Sequence, residues 1–456
     1  MALTTLQIHG YRGFSQPGEI TFAVPSGEPG SGLTILTGPN NAGKSSILEA
    51  LRARGGSQPV SFTQGVRNDT VQSVSIKYTV NDKSESVQSI AKGSSETKKE
   101  DIDLGVKVFV LPSRRAFNPY FGKSSWSRDE FLSQSELPSQ RSSTLSGFEY
   151  RLFHVLSAPE AFNLLLKKIL GFMPNWTIDR SDQGQYFLKF FSGAQSHSSD
   201  GMGEGIISAF AIADALYDSQ PNEMVVIDEP ELSLHPALQK RLARVLASYA
   251  ADRQIVISTH SPYFVNLEAI ATGAALVRVI TGTKGTTIHQ LSNNGKAAIN
   301  RLVTYNLSNP HVLGLDAREL FFQEDNILLT EGQEDVMLYP QVFKQLGVEV
   351  PAEIFGWGAG GAGNIKHLCQ ILKDLGFVSV AALFDSDKAV DHAEGKARFP
   401  DYLFEVIPAK DVRTKPARNG NSIVEGLLDD SYQLREELRT ETLAVTTRLI
   451  EYFQRS

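Results

Sequence analysis

Leu33-Thr34-Ile35-Leu36-Thr37-Gly38-Pro39-Asn40-Asn41-Ala42-Gly43-Lys44-Ser45-Ser46-Ile47-Leu48 is the stretch whose reading decides the fold. An apolar, strand-like run over Leu33–Thr37 passes directly into a loop bearing Gly38 and Gly43, followed by a lysine and two serines. Ser46–Arg54 then reads as a helix. Backbone N–H groups of such a loop point at phosphate oxygens. Gly38, Asn40, Asn41, Gly43, Lys44, Ser45 and Ser46 are therefore the candidate phosphate contacts. Lys44 would reach the β and γ phosphates of a nucleotide and Ser45 would ligate Mg2+. A mere glycine-rich surface turn requires neither flanking element, and both are present.

Further along, Met224–Ile227 is a short apolar strand that delivers Asp228 and Glu229 to its end. An Asp there is expected to hold Mg2+. The Glu beside it is expected to polarise an attacking water as a general base. Gln254–Ser258, the next strand, leads to His260 within Ser258-Thr259-His260-Ser261-Pro262. A lone histidine is usually structural, but its place after the strand following Asp228-Glu229 favours a γ-phosphate sensor. Helical segments at Ile206–Tyr217 and Ala237–Ala250 alternate with these strands, which predicts a largely parallel sheet.

Together these segments resemble the ABC ATPases, in the branch that contains the recombination and chromosome-maintenance enzymes. Tyr11-Arg12-Gly13-Phe14, between short strands at Leu6–Ile8 and Ile20–Ala23, matches the N-terminal turn of that branch. Ser198-Ser199-Asp200-Gly201-Met202-Gly203 stands where its signature motif belongs, with Asp200 in place of the usual first glycine. The resemblance implies that Ser199 and Gly201 bind the γ-phosphate of an ATP held by a second subunit, so that two ATPs are sandwiched in a head-to-tail dimer. No glutamine can be placed securely in the loop that normally precedes the signature. Arg114 and Arg115 lie near it, either as phosphate sensors or as an ordinary solvated pair.

The chain has 456 residues, enough for two or three domains, and a formal net charge of −7. Global charge does not announce nucleic-acid binding, although a local basic groove can sit on an acidic protein. Cys369 is the single cysteine, which excludes an internal disulfide and a cysteine-built zinc site. The N-terminus lacks a signal-peptide pattern and no run is long and apolar enough for a membrane helix, so a cytoplasmic protein without membrane attachment is expected. Val74–Val80 and Val106–Leu111 read as strands and Ala158–Leu170 as a helix. The polar Asn81–Asp101 reads as an exposed turn or mobile loop, and Ser124–Ser146 as an irregular insertion.

A second α/β unit begins near Asn326. Ile327–Leu329 is a strand that delivers Glu331, with Glu334 and Asp335 opening the helix after it. A strongly apolar strand, Val378–Phe384, delivers Asp385 and Asp387, and Glu425 follows later. Grouped carboxylates repel one another unless a cation compensates. Oxygen-only ligands suit Mg2+ or Mn2+, and two such ions can drive phosphodiester cleavage. Lys410 either neutralises charge on the reacting phosphate or is a solvated loop residue. Ser431–Ser456 is expected to be a helical tail.

Glu at one strand end and Asp-x-Asp at a later one resemble the Toprim fold. Gly356–Asn364 fits the loop before its helix. That resemblance implies Glu331 as general acid/base or metal ligand, Asp385 and Asp387 as metal ligands, and Glu334, Asp335 and Glu425 in support of a second metal. The expected architecture is thus α/β: an N-terminal ABC-type P-loop ATPase domain over 1–310, with an insertion at about 60–195, then a C-terminal Rossmann-like Toprim domain over 311–456. An ABC ATPase followed by Toprim resembles the OLD (overcoming lysogenization defect) family, over nearly the whole chain. The family implies an ATP-gated, divalent-metal-dependent DNA endonuclease, homodimeric through its ATP sandwich or higher in order. It further implies anti-phage defence, with a helicase or a retron reverse transcriptase and its DNA as candidate partners. The alternative is a switch or scaffold ATPase whose Toprim unit binds nucleic acid or a partner without cutting. A topoisomerase would need a domain carrying a nucleophilic tyrosine, and a primase a zinc segment that one cysteine cannot supply.

Overall fold

Strands Leu33–Thr37, Met224–Asp228 and Gln254–Ser258 are buried at every residue. Apolar runs of that kind need cover on both faces, which parallel sheets provide. In the computed structural model they lie at the centre of a six-stranded sheet. Its order is Gly285–Gln290, Ala275–Gly282, Leu33–Thr37, Gln254–Ser258, Met224–Asp228, Val108–Leu111. The pairings from Ala275–Gly282 to Val108–Leu111 are parallel. Ile257 stands in register with Ile35 on one side and Ile227 on the other. The segments that leave these strands therefore emerge at one end of the sheet, which is where ligands bind in open α/β folds. The structure describes residues 1–55, 62, 66–90, 96–99, 104–115, 118, 120–134, 145, 147–198, 203–304, 318–322, 325–416 and 423–455.

A second sheet is antiparallel, in the order Gly18–Thr21, Thr5–His9, Ser75–Val80, Lys83–Ser89, Thr97–Lys99. Its last two strands occupy part of the polar stretch expected to be a loop. Small side chains hide them from a hydropathy reading. Ser89 is buried and its Oγ accepts from Val74 N at 2.9 Å, while buried Glu85 pairs with Arg54 at 2.6 Å. Asn81, in the left-handed region at φ 51°, turns the hairpin.

The inserted segment forms helices Arg128–Gln134, Phe148–Leu156 and Glu160–Leu170. A three-stranded antiparallel sheet follows, of Trp176–Arg180, Tyr186–Ser192 and Gln195–Ser198. Arg128–Gln134 lies inside the stretch expected to be irregular, and it buries Phe131. Phe210 of helix Glu204–Tyr217 receives Trp176 and Phe190, each at 5.3 Å between centroids, and Phe162 at 5.8 Å, all edge-on. Edge-to-face pairs each add about 0.5–1.5 kcal/mol beyond area burial. Arg151, fully buried, adds an ion pair to Asp214 of the same helix at 2.7 Å.

The chain divides into two compact units, Met1–Ile288 and His289–Ser456. The second has a four-stranded, wholly parallel sheet ordered Glu353–Ile354, Ile327–Leu329, Val380–Phe384, Leu403–Val406. Helices Gln333–Leu346, Ala362–Asp374, Ala389–Arg398 and Glu436–Gln454 accompany it. The division falls before residue 310. The amphipathic helix Asn293–Thr304 packs on Ala362–Asp374, and Ser292 bonds Asp374 at 2.6 Å, which places that segment with the second unit. No described helix is long and apolar enough to cross a membrane.

Candidate functional sites at two sets of strand ends

Gly38 has φ 127°, and a Cβ there would meet Val279 O at 2.0 Å, so only glycine permits the loop to leave its strand so close to the neighbouring one. The loop borders a cavity of about 650 Å³, a size suited to a nucleotide. Asn40, Asn41, Gly43, Lys44, Ser45 and Ser46 line it, with His260. Lys44 is buried, and its Nζ donates to the carbonyls of Gly38 at 2.9 Å and Pro39 at 2.8 Å. Ser45 Oγ donates to Asp228 Oδ2 at 3.4 Å. A hydroxyl and a carboxylate side by side at the end of neighbouring elements form an oxygen donor pair that fits Mg2+. Glu229 adopts φ 46°, and its N–H donates to Ser258 O at 2.8 Å. Ser199 and Gly201 lie outside the described residues.

Three contributors were not legible beforehand. Glu231 accepts from His260 N at 2.6 Å and Thr259 Oγ1 at 2.8 Å, fixing the histidine's loop. Burial pushes the Glu231 carboxyl up, against those hydrogen bonds. Arg12, in the N-terminal turn, lines the cavity and pairs with Glu49 at 2.6 Å. Thr286 packs its side chain against both Gly13 and Gly43, joining the turn to the phosphate loop. Arg115 is not part of a solvated pair. It is 4% exposed and donates to backbone carbonyls and Ser208, whereas Arg114 is exposed.

In the second unit, adjacent parallel strands bring Glu331 and Asp385 together, with Asp385 N donating to Glu331 Oε1 at 2.9 Å. The turn is tight: a Cβ on Gly358, at φ 79°, would lie 2.6 Å from the Gly332 backbone. Asp335 reaches back to cap its helix, accepting from Gly332 N at 2.8 Å. Burial pushes the Asp385 carboxyl up to about 8, helped by Glu331, Asp335, Asp411 and Asp387. Burial likewise pushes Asp335 up to about 6, with Asp411 adding to it. Burial also raises Glu331. Tyr339, fully enclosed beside these acids, is raised by burial first and by their charges second.

The other expected residues differ in their surroundings. Glu334 pairs with Arg413 at 2.6 Å and Lys415 at 3.2 Å, and the Arg413 hydrogen bond holds its carboxyl low. Its carboxylate thus lies between two cations of the chain. Glu425 is exposed, and the further acid felt by Asp385 and Asp335 is Asp411. Lys410 is exposed too. The lysines that reach the acids are Lys388, paired with Asp387 at 2.8 Å, and Lys415, paired with Asp411. Among the described residues no three His, Cys, Asp or Glu side chains converge into a metal-holding group. The donor chemistry nonetheless suits a hard cation: all ligands are oxygens, and a divalent ion would neutralise the charge of acids whose mutual repulsion adds to the burial that raises Asp385.

Comparison with known proteins bears on both units. AAA domain models match residues 5–111 and 106–266. A model described as overcoming lysogenization defect protein-like, TOPRIM domain, matches residues 321–387. These matches support an ATPase unit followed by an OLD-like Toprim unit, the arrangement of the OLD family. The OLD nuclease of Thermus scotoductus is 31% identical over 194 residues, 40% of this chain and 35% of that protein. The Old nuclease of Escherichia phage P2 is 25% identical over 169 residues, 36% of this chain and 28% of that protein. The chain thus spans about a third of either relative's length. Among solved structures, the SMC head domain from Thermotoga maritima aligns at TM-score 0.38 and 16% identity, covering 64% of this chain and 100% of that one.

Proposed function

We propose that this protein is an OLD-type nuclease, an ATP-gated, divalent-metal-dependent DNA endonuclease. The observation that carries the reading is the pair of strand-end sites, one built for a nucleotide and the other for a cation. At the first, the loop amides and Lys44 would bind the phosphates, exchanging the Gly38 and Pro39 carbonyls for phosphate oxygens. Ser45 and Asp228 would hold Mg2+, Glu229 would orient the attacking water, and His260 would meet the γ-phosphate. Ser199 and Gly201 would complete the site on a second copy, making the protein a dimer. Only a ligand that favours one arrangement over the other can act as a gate, and ATP bridging two subunits meets that condition.

At the second site, Glu331, Asp385 and Asp387 would hold the ion, with Asp335 and Asp411 behind them. A bound Mg2+ or Mn2+ would activate water and stabilise the leaving oxygen of a phosphodiester. The chain's own task is to present ionised carboxylates. Asp385 must give up the proton that its neighbours favour, and Glu331 stays oriented by the Asp385 amide. Lys388 and Lys415 sit beside the acids and would moderate their charge toward an anionic backbone. A role in defence against phage, in the cytoplasm and with a helicase or retron partner, follows from the family resemblance.

The test is cleavage of supercoiled and linear DNA with Mg2+ or Mn2+, with and without ATP, by wild type and Asp385→Ala. Metal-dependent cutting that the substitution abolishes is expected. Absence of cutting with every metal and nucleotide combination would favour the non-cutting switch ATPase instead.

A further inference from the structure

Arg115 follows strand Val108–Leu111 at the edge of the parallel sheet, next to Met224–Asp228. Its guanidinium is spread over three acceptors. Nη1 donates to Ser208 Oγ at 2.8 Å, and Nη2 donates to the carbonyls of Asp228 and, at 3.0 Å, Glu229. Its Nε has no hydrogen-bond partner among the described residues. Burial lowers the guanidinium to about 10, against the pull of Asp228, Glu231 and Glu229, so it stays charged at neutral pH. Arg115 is not among the residues that line the nucleotide cavity.

Two features give this contact consequence. Glu229 sits at φ 46°, a left-handed conformation that a side chain bearing Cβ adopts only when its surroundings hold it there. Arg115 grips the carbonyls on either side of that residue's Cα–N segment, and Ser258 O takes its N–H at 2.8 Å. Ser208 lies in helix Glu204–Tyr217, which begins immediately after the Ser198–Gly203 motif. One side chain therefore ties the backbone of the expected water-orienting carboxylate to the helix that directly follows the Ser198–Gly203 motif, which the family resemblance assigns to a partner's nucleotide.

We propose that Arg115 is a positioning residue that couples this helix to Glu229, so that ATP hydrolysis depends on where the helix sits. The proposal rests on the ATPase reading above. A lysine cannot reproduce the link, because a single ammonium does not span a fork of acceptors.

The test compares full-length wild type, Arg115→Lys and Ser208→Ala for steady-state ATP hydrolysis, for binding of a fluorescent ATP analogue, and for thermal melting. Arg115→Lys is expected to lower kcat about tenfold or more, and Ser208→Ala about threefold, with KM and analogue affinity within about twofold of wild type. A merely structural role would lower the melting temperature without separating kcat from KM. Should Arg115→Lys not fold, Ser208→Ala decides. An unchanged kcat in Ser208→Ala overturns the coupling, whatever Arg115→Lys does. Weaker analogue binding with kcat intact in Arg115→Lys overturns it as well, and makes Arg115 a phosphate ligand. A wild type that binds the analogue but turns over no ATP fails the ATPase reading itself and removes this role with it.

Discussion

The nucleotide site and the carboxylate cluster stand at the same kind of place, the ends of buried parallel strands, yet they are held together by opposite means. At the nucleotide site the chain offers donors: loop amides and the Lys44 ammonium, which donates to Gly38 and Pro39. Helix Lys44–Gly55 starts directly from the loop, and a helix N-terminus favours negative charge. At the carboxylate cluster the chain offers acceptors that repel one another, and Asp385, buried and then pushed further by these neighbours, holds a proton up to about pH 8. The first site is prepared for an anion. The second is incomplete in charge until a cation arrives. The difference teaches where each will be sensitive: the first to loss of one cation, the second to pH and metal.

The largest effect expected from that contrast is at Lys44. Lys44→Ala should lower ATP hydrolysis by about a hundredfold or more, while melting changes little, since the removed bonds join one loop to itself. A steady-state assay checks this, and hydrolysis within tenfold of wild type would break the anion half of the comparison.

A sharper version separates the lysines near the acids. Lys388→Ala should lower metal-dependent DNA cleavage about tenfold, because Lys388 is the cation nearest Asp387 and Glu331. Lys410→Ala should stay within about twofold of wild type, since the residue is exposed. Rates measured at saturating Mn2+ would decide, and the reverse order would return Lys410 to the site.

A smaller effect follows from protons. The folded-state value of Asp385, about 8, lies above its unfolded value, so the folded protein holds that proton more tightly. The resulting stability is present at acid pH and is lost as pH rises toward 8. In the presence of a chelator, melting temperature should therefore fall between pH 5 and about 8, by an amount that Asp385→Asn reduces. Mg2+ should raise melting more at pH 8 than at pH 6, because binding must displace the proton. Equal Mg2+ effects at both pH values would contradict the picture of a charge-starved cluster.

The same contrast explains what could be read in the sequence. The phosphate loop is contiguous, so Gly38, Lys44 and Ser45 declare themselves, and strands buried at every residue mark the parallel sheets. Glu331, Asp385 and Asp387 were legible because each lies within three residues of the end of an apolar strand. Asp411, Lys415 and Arg413 were not, because they come from loop-like chain after the last strand and reach the cluster only through folding. Lys410, a neighbour in sequence, points to the difficulty: in irregular chain no periodicity says which side chain turns inward. Strand Lys83–Ser89 was missed since buried serines mimic a solvated loop. Arg115 was visible as a residue, but its role depends on helix Glu204–Tyr217 lying beside it, and nothing local encodes that.

The central claim is that the two sites house two separate chemistries, phosphate binding at the first and metal-dependent cleavage at the second. The most direct measurement follows ATP hydrolysis and Mn2+-dependent DNA cleavage side by side in wild type and Asp385→Ala. The account predicts that Asp385→Ala loses cleavage by about a thousandfold while its ATP hydrolysis stays within about threefold of wild type. Cleavage that survives the substitution would contradict the account, because the catalytic carboxylates would then lie elsewhere.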